Sequence, residues 1–268
     1  MTGQQREMLG KVPAITLTFW IIKILATTLG ETAGDSVSMS WLGETTPNAA
    51  TTLLGSGYLI GTVIFGALLA IFVWLQIRAR AFNPWLYWAT IIASTTAGTT
   101  LADFATRSLG IGYTGGSALL FACVLASLGI WYRSTGSVAA GHIASPRDEL
   151  FYWITITFSQ TLGTALGDWT ADTNDFGYLG GATLFAIGLA LLAALYYLTR
   201  ANRVFLFWAA FILTRPLGAT VGDLLDKPLA KGGLALDRYG ASAVLAIAIG
   251  VLILLLPQRS GKHPDARP

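Results

Sequence analysis

The chain has 268 residues, 54% hydrophobic and 12% charged, with a formal net charge of +3 and a mean hydropathy of +0.61. That balance excludes an ordinary soluble domain and reads as a polytopic membrane protein, so the small positive excess belongs to membrane topology and not to nucleic-acid binding. A single cysteine, Cys123, excludes an internal disulfide and any multi-thiolate metal site.

In chain order the apolar pattern predicts eight spans at about 13–35, 53–77, 84–106, 113–133, 149–170, 178–198, 203–224 and 240–256. Each is near the ~20 residues that cross a bilayer core. The polar start, MTGQQREMLGK, is followed by no clear cleavage site, so the first segment is expected to stay as a span. The longest loop, Ser36 to Thr52, is polar and is expected to carry a short interfacial segment around Trp41. The end of the chain, PQRSGKHPDARP from Pro257, is basic and Pro-containing, and a disordered tail over 258–268 near the anionic inner leaflet is expected.

The odd spans share one register. From Trp20, Trp88, Trp153 and Trp208 a glycine follows ten residues later (Gly30, Gly98, Gly163, Gly218) and an aspartate fifteen later (Asp35, Asp103, Asp168, Asp223). An aromatic residue precedes each Trp: Phe19, Tyr87, Tyr152 and Phe207. The even spans open at Tyr58, Tyr113, Tyr178 and Tyr239, so the chain reads as four tandem helical hairpins, about 12–80, 81–135, 148–200 and 201–257. The expected fold is all-α, a single membrane domain of eight transmembrane helices, with the repeats related by pseudo-symmetry about the membrane normal.

Lys and Arg place both termini in the cytoplasm. Eleven lie on the terminal side, four opposite (Arg107, Lys227, Lys231, Arg238) and two within spans, Lys23 and Arg215. Ten of the fourteen acids run the other way. Asp172, Asp175, Asp226 and Asp237 read as solvated loop acids. A bacterial inner membrane is the expected location.

Four hairpins with an aromatic pair, a mid-helix Gly and a terminal Asp resemble a bacterial family of integral membrane proteins. That family is defined by four tandem copies of a repeat of unknown function, each with two transmembrane regions and a characteristic tryptophan. The resemblance covers about residues 12 to 256. It implies the architecture and leaves the chemistry to the residues.

Equal spacing in helices that run the same way means equal depth. Each Asp lies about 22 Å beyond its Trp at 1.5 Å per residue, which puts four carboxylates in one layer of the outer half of the membrane. Positions eight and twelve after the Trp share the stripe: Thr28 and Thr32, Thr96 and Thr100, Thr161, and Thr220, with Ala165 and Pro216 as the departures. Glu31 adds a carboxylate four residues before Asp35. Transmembrane threonines also bond back to their own helix, and Gly-Asp pairs also form turns. Anions at helix C-termini are disfavoured by about 0.3–1 kcal/mol each, so the layer needs compensating positive charge. Lys23 and Arg215 are the candidates, with Arg215 placed to reach Glu31 as an ion pair or gate.

Oxygen-only sites suit hard cations, and His142 and His263 lie outside the spans. The expected function is therefore a transporter, in the export direction, of a cation such as Mn²⁺ or Mg²⁺. Asp35, Asp103, Asp168, Asp223 and Glu31 are the candidate ligands, the six threonines line the route, and protons are a candidate coupling ion. No permanently bound cofactor and no enzymatic activity are expected; the expected partners are the bilayer and the cation, with a homo-oligomer left open and no nucleic acid. A cation channel with an acidic filter and a non-transporting scaffold or sensor are the alternatives. An intramembrane aspartyl protease matches poorly, since the Gly-x-Gly-Asp context lacks its first glycine at all three Gly-Asp sites. The ion, the oligomeric state and the choice between a fourfold ring and two pairs of repeats stay open.

Overall fold

The structure, a computed structural model, describes residues 11–44, 57–143, 145–173 and 176–261. Among these residues the chain is all helical, in eight main helices: α1 Leu17–Asp35, α2 Gly57–Arg78, α3 Pro84–Asp103, α4 Gly112–Thr135, α5 Pro146–Asp168, α6 Gly177–Leu198, α7 Arg203–Asp226 and α8 Arg238–Leu255. Local chemistry starts the odd helices. Thr16, Asn83, Ser145 and Asn202 each accept a backbone N–H of the first turn, and Pro84 and Pro146 occupy the first turns of α3 and α5.

The odd helices close a ring in the order α1, α3, α5, α7 and back to α1, and the even helices pack on its outside. The expected hairpins differ from what is found. The arms of a repeat do not pair chiefly with each other: α2 packs on α3, α4 on α5, α6 on α7 and α8 on α1. Each odd helix uses two faces on its ring neighbours, so the second arm of a repeat falls into place over the next repeat.

Close approach explains the conserved register of the glycines within the four copies. A side chain at Gly30 would meet Thr95 at 2.8 Å, one at Gly98 would meet the backbone of Thr161 at 2.9 Å, and one at Gly218 the backbone of Thr27 at 2.8 Å. Gly163 sits against the stem of Arg215. In every case the tenth residue of one repeat receives its ring neighbour's helix, as small residues allow in membrane packing.

The tryptophans of the four repeats belong to the core, with Trp88, Trp153 and Trp208 buried and Trp20 partly buried against them. Phe19 meets Trp88, Tyr87 meets Trp153, Tyr152 meets Trp208 and Phe207 meets Trp20, with ring centroids 5.5–6.2 Å apart. Each pair joins the aromatic before one Trp to the Trp of a ring neighbour. Tyr87 and Tyr152 also share a hydrogen bond of 2.7 Å at the buried floor of the ring.

Five helices, α2, α4, α6, α7 and α8, are long and apolar enough to cross a membrane. All four outer helices are among them and expose Val63, Leu119, Leu191 and Val244 outward, the arrangement of a membrane protein. α1, α3 and α5 are less apolar because their threonines and glycines face other helices. At the end of the bundle where α8 finishes, residues 258–261 depart from the expected disordered tail. Ser260 bridges antiparallel to Pro13, with Ala14 N to Arg259 O and Gly261 N to Val12 O both at 2.8 Å. Residues 262–268 lie outside the described residues, as do the acids Glu7, Asp175 and Asp265. Around Trp41 the expected short segment is a π-helical turn, Ser36–Trp41.

Candidate functional site

The polar core follows one i, i+4 stripe on every odd helix. Counted from the Trp it runs through positions −1, +3, +7, +11 and +15, and all twenty residues are buried. In α1 these are Phe19, Lys23, Thr27, Glu31 and Asp35; in α7, Phe207, Phe211, Arg215, Ala219 and Asp223. Helices that pack through their i±4n ridges keep such a stripe on one another.

The +11 layer closes on a single guanidinium. Arg215 Nη2 lies 2.9 Å from Glu31 Oε2 and 2.6 Å from Thr99 Oγ1, and it also contacts Thr164 Oγ1. Side chains from α1, α3 and α5 thus converge on α7, so the Arg–Glu pair expected from the sequence stands at the centre of the ring. Lys23, the other base within a span, meets no acid among the described residues and lies 4.1 Å over the ring of Phe211.

The four aspartates do lie together above this layer, but as two pairs and not as an open ring. Arg107 Nε is 3.0 Å from Asp103 Oδ1, and its Nη2 is 2.9 Å from Asp168 Oδ2. Lys227 Nζ is 2.9 Å from Asp223 Oδ1 and also contacts Asp35 Oδ2. One base therefore bridges the second and third repeats, and another bridges the fourth and first. In three repeats the helix winds into a π turn directly after the Asp: Ser36–Trp41, Phe104–Ser108 and Trp169–Thr173. Such turns often sit at functional sites.

These two bases, which topology alone places as outer-loop charge, thus belong to the candidate site. Their signal was present, since Arg107 and Lys227 each stand four residues after an Asp. Asp226, expected to be a solvated loop acid, is instead buried in the last turn of α7, 2.7 Å from Arg238 and 3.9 Å from Lys227. α7 runs past Asp223 without a π turn and carries Asp226 inward with it. Asp237 caps α8 by accepting Gly240 N at 2.7 Å, and Asp172 accepts Tyr113 Oη at 3.2 Å.

The threonines expected to line the route satisfy their hydroxyls on their own helices. Thr28, Thr96 and Thr161 donate to Ile24, Ile92 and Thr157 carbonyls of their own helices. Thr32, Thr100 and Thr220 do the same and face outward, Thr32 toward Ser242, Thr100 toward Gly61 and Thr220 toward Gly181. The stripe chosen from the sequence was one residue out of phase with the ring interior, where Thr27, Thr95, Thr99 and Thr164 lie. Thr100→Val is therefore expected to stay within about 1 kcal/mol of wild type. Thr99→Val, which strips an oxygen from Arg215, is expected to cost about 1.5–3 kcal/mol. Thermal unfolding of the two variants in one detergent makes the comparison.

One group of oxygens has the spacing of a metal site. A carboxylate oxygen from each of Glu31, Asp35 and Asp223 lies within 4.8 Å of the others, all buried, between the first and last repeats. Among the described residues Asp35 Oδ1 has no hydrogen-bond partner. A hard divalent cation suits these three donors in chemistry, with Lys227 and Arg215 already holding some of their oxygens.

The pattern described as Repeat of Unknown Function (DUF347) matches residues 18–82, 86–137, 151–202 and 206–259, one match per repeat. No curated protein and no solved structure matches the chain.

Proposed function

The chain belongs to the Repeat of Unknown Function (DUF347) family, and on that footing we propose that it is a membrane transporter of a hard divalent cation such as Mn²⁺ or Mg²⁺. All eight helices span the bilayer in this reading, as four repeats with pseudo-symmetry about its normal. Both termini are cytoplasmic, the membrane is a bacterial inner membrane, and the carboxylates lie in its outer half.

The observation that carries the proposal is the cluster of Glu31, Asp35 and Asp223. Charge supports it. Among the described residues, six buried carboxylates in the outer half (Glu31, Asp35, Asp103, Asp168, Asp223, Asp226) face four bases (Arg107, Arg215, Lys227, Arg238). The deficit of two positive charges is made up by one divalent cation or by two protons, which is the stoichiometry of an exchange between them. An unbalanced buried charge is costly, so the site is held to one or the other.

The two bridging bases have different parts in this mechanism. Arg107 is a permanent charge with a fork that spans Asp103 and Asp168, and it clasps the second and third repeats. Lys227 is a flexible point charge on the oxygens that the cation would take. In this reading its ammonium shifts from Asp35 and Asp223 toward Asp226, 3.9 Å away, as the cation enters, so that its charge stays in the cluster. Below the site, Arg215 and the aromatic pairs occupy the axis of the ring, which supports a carrier over a continuous filter.

Flux into proteoliposomes tests this. Asp35→Asn and Asp223→Asn are expected to lower Mn²⁺ or Mg²⁺ flux by at least the roughly 10–100-fold that loss of a supporting group costs a metal site. Asp237→Asn, at the exposed cap of α8, should leave it unchanged. Full flux in both site variants sinks the carboxylate mechanism, and folded wild-type protein that moves no ion supports the scaffold or sensor alternative.

A further inference from the structure

A second polar site lies beneath the carboxylates, in the +3 and +7 layers of the ring. Lys23 is fully buried, and its Nζ has no hydrogen-bond partner among the described residues. Phe211, the ring that it overlies, stands one turn before Arg215 on α7, so Lys23 sits a turn below that guanidinium. Arg215 directs Nη2 upward to Glu31, Thr99 and Thr164, while its Nε and Nη1 are without acceptors. Gln160, fully buried at the same +7 level of α5, has neither amide atom bonded, and Thr95 Oγ1 on α3 has no partner. Contacts with the neighbouring glycines fix that level: Thr95 lies on Gly30, Gln160 on Gly98 and Arg215 on Gly163.

Buried donors need acceptors, and a buried ammonium needs an opposite charge. The donors here outnumber the acceptors: Lys23 and Arg215 have none to offer, Gln160 one carbonyl and Thr95 one hydroxyl. Glu31 answers Arg215 from above, which leaves the charge of Lys23 over. The aromatic face of Phe211 offsets only part of its desolvation. A neutral guest such as water supplies acceptors but no charge. One surplus positive charge and several unpartnered N–H groups at adjoining levels of a ring drawn tight by glycines fit a monovalent anion of small radius.

We infer that Lys23, Gln160, Thr95 and the Nε and Nη1 donors of Arg215 bind a halide-sized monovalent anion at the centre of the helix ring, one turn below the carboxylate cluster. The anion completes the charge balance of the inner half and lowers the barrier that two bases on the axis raise against a cation. It is a site distinct from the cation cluster, and its occupancy is read without measuring cation transport.

The test uses purified full-length protein in detergent, with chloride replaced by gluconate at constant ionic strength. Wild type is expected to bind radiolabelled chloride saturably and to gain thermal stability as chloride rises, with bromide substituting and sulfate failing. Lys23→Met should abolish both effects while keeping or raising the midpoint in gluconate. Gln160→Leu should weaken chloride binding by about tenfold with a native midpoint. Absence of chloride binding in folded wild type overturns the proposal and leaves Lys23 as a neutral amine in the core. So does unchanged binding in Lys23→Met or, should that variant fail to fold, in Gln160→Leu.

Discussion

Arg215→Met is expected to lose about 3–5 kcal/mol of stability, the scale for breaking a buried ion pair from one side. The guanidinium is fully buried and holds Glu31, Thr99 and Thr164 at once. Its removal leaves Glu31 as an unanswered charge among four helices and two threonines with no donor. Glu31→Gln placed in the same chain should recover most of that loss, because the neutral amide needs no cation. Unfolding of wild type, both single variants and the double variant in one detergent gives the coupling directly. A double variant as unstable as the sum of its parts would show that Arg215 holds the ring through packing alone.

Gly218→Ala should be nearly as damaging for a steric reason. A β-carbon there would stand 2.8 Å from the backbone carbon of Thr27 and closer still to its side chain. Backbone cannot rotate out of the way, so α1 and α7 must separate. Overpacking of this kind costs about 1–3 kcal/mol and occasionally more, and the higher end applies because the same step breaks the alignment of Glu31, Asp35 and Asp223. Gly66→Ala in α2 is the matched control. Nothing lies within 4 Å of a β-carbon at that position, and a helix interior gains about 0.5–1 kcal/mol from the exchange. Opposite shifts of the unfolding midpoint are expected, and equal shifts would show that the ring is looser than its contacts require.

Much of this fold is legible in the sequence because the repeat fixes it four times over. The aromatic pair, the glycine ten residues on and the aspartate fifteen on predict the depth of each layer, and all three recur as packed layers. Arg215 opposite Glu31 also follows, as the only base of the last odd helix near that depth. The phase of the stripe does not. Thr28, Thr32, Thr96 and Thr100 look like a polar face, yet a threonine satisfies its hydroxyl on its own helix and reports nothing about direction. The true interior stripe mixes Tyr, Ile, Thr and Asp in α3 and shows no hydrophobic contrast to detect.

Arg107 and Lys227 were hidden by counting. Topology rules treat a base beyond a span as loop charge, whereas four residues of helix bring it back over the aspartate that it follows. That spacing occurs in the second and fourth repeats only, and it turns four equivalent acids into two bridged pairs. The partner of each even helix is also absent from local sequence, since a short loop is compatible with either arm as neighbour.

The overlap of each outer helix with the following repeat makes the order of the helices circular in space. α8 reaches α1 just as α2 reaches α3, and the short antiparallel pairing of Val12–Ala14 with Arg259–Gly261 lies where a peptide link would complete the cycle. A circular permutant that joins these two segments and opens the chain between α4 and α5 would keep every interface. A single repeat, by contrast, has no interior of its own, because its two helices meet other repeats before they meet each other.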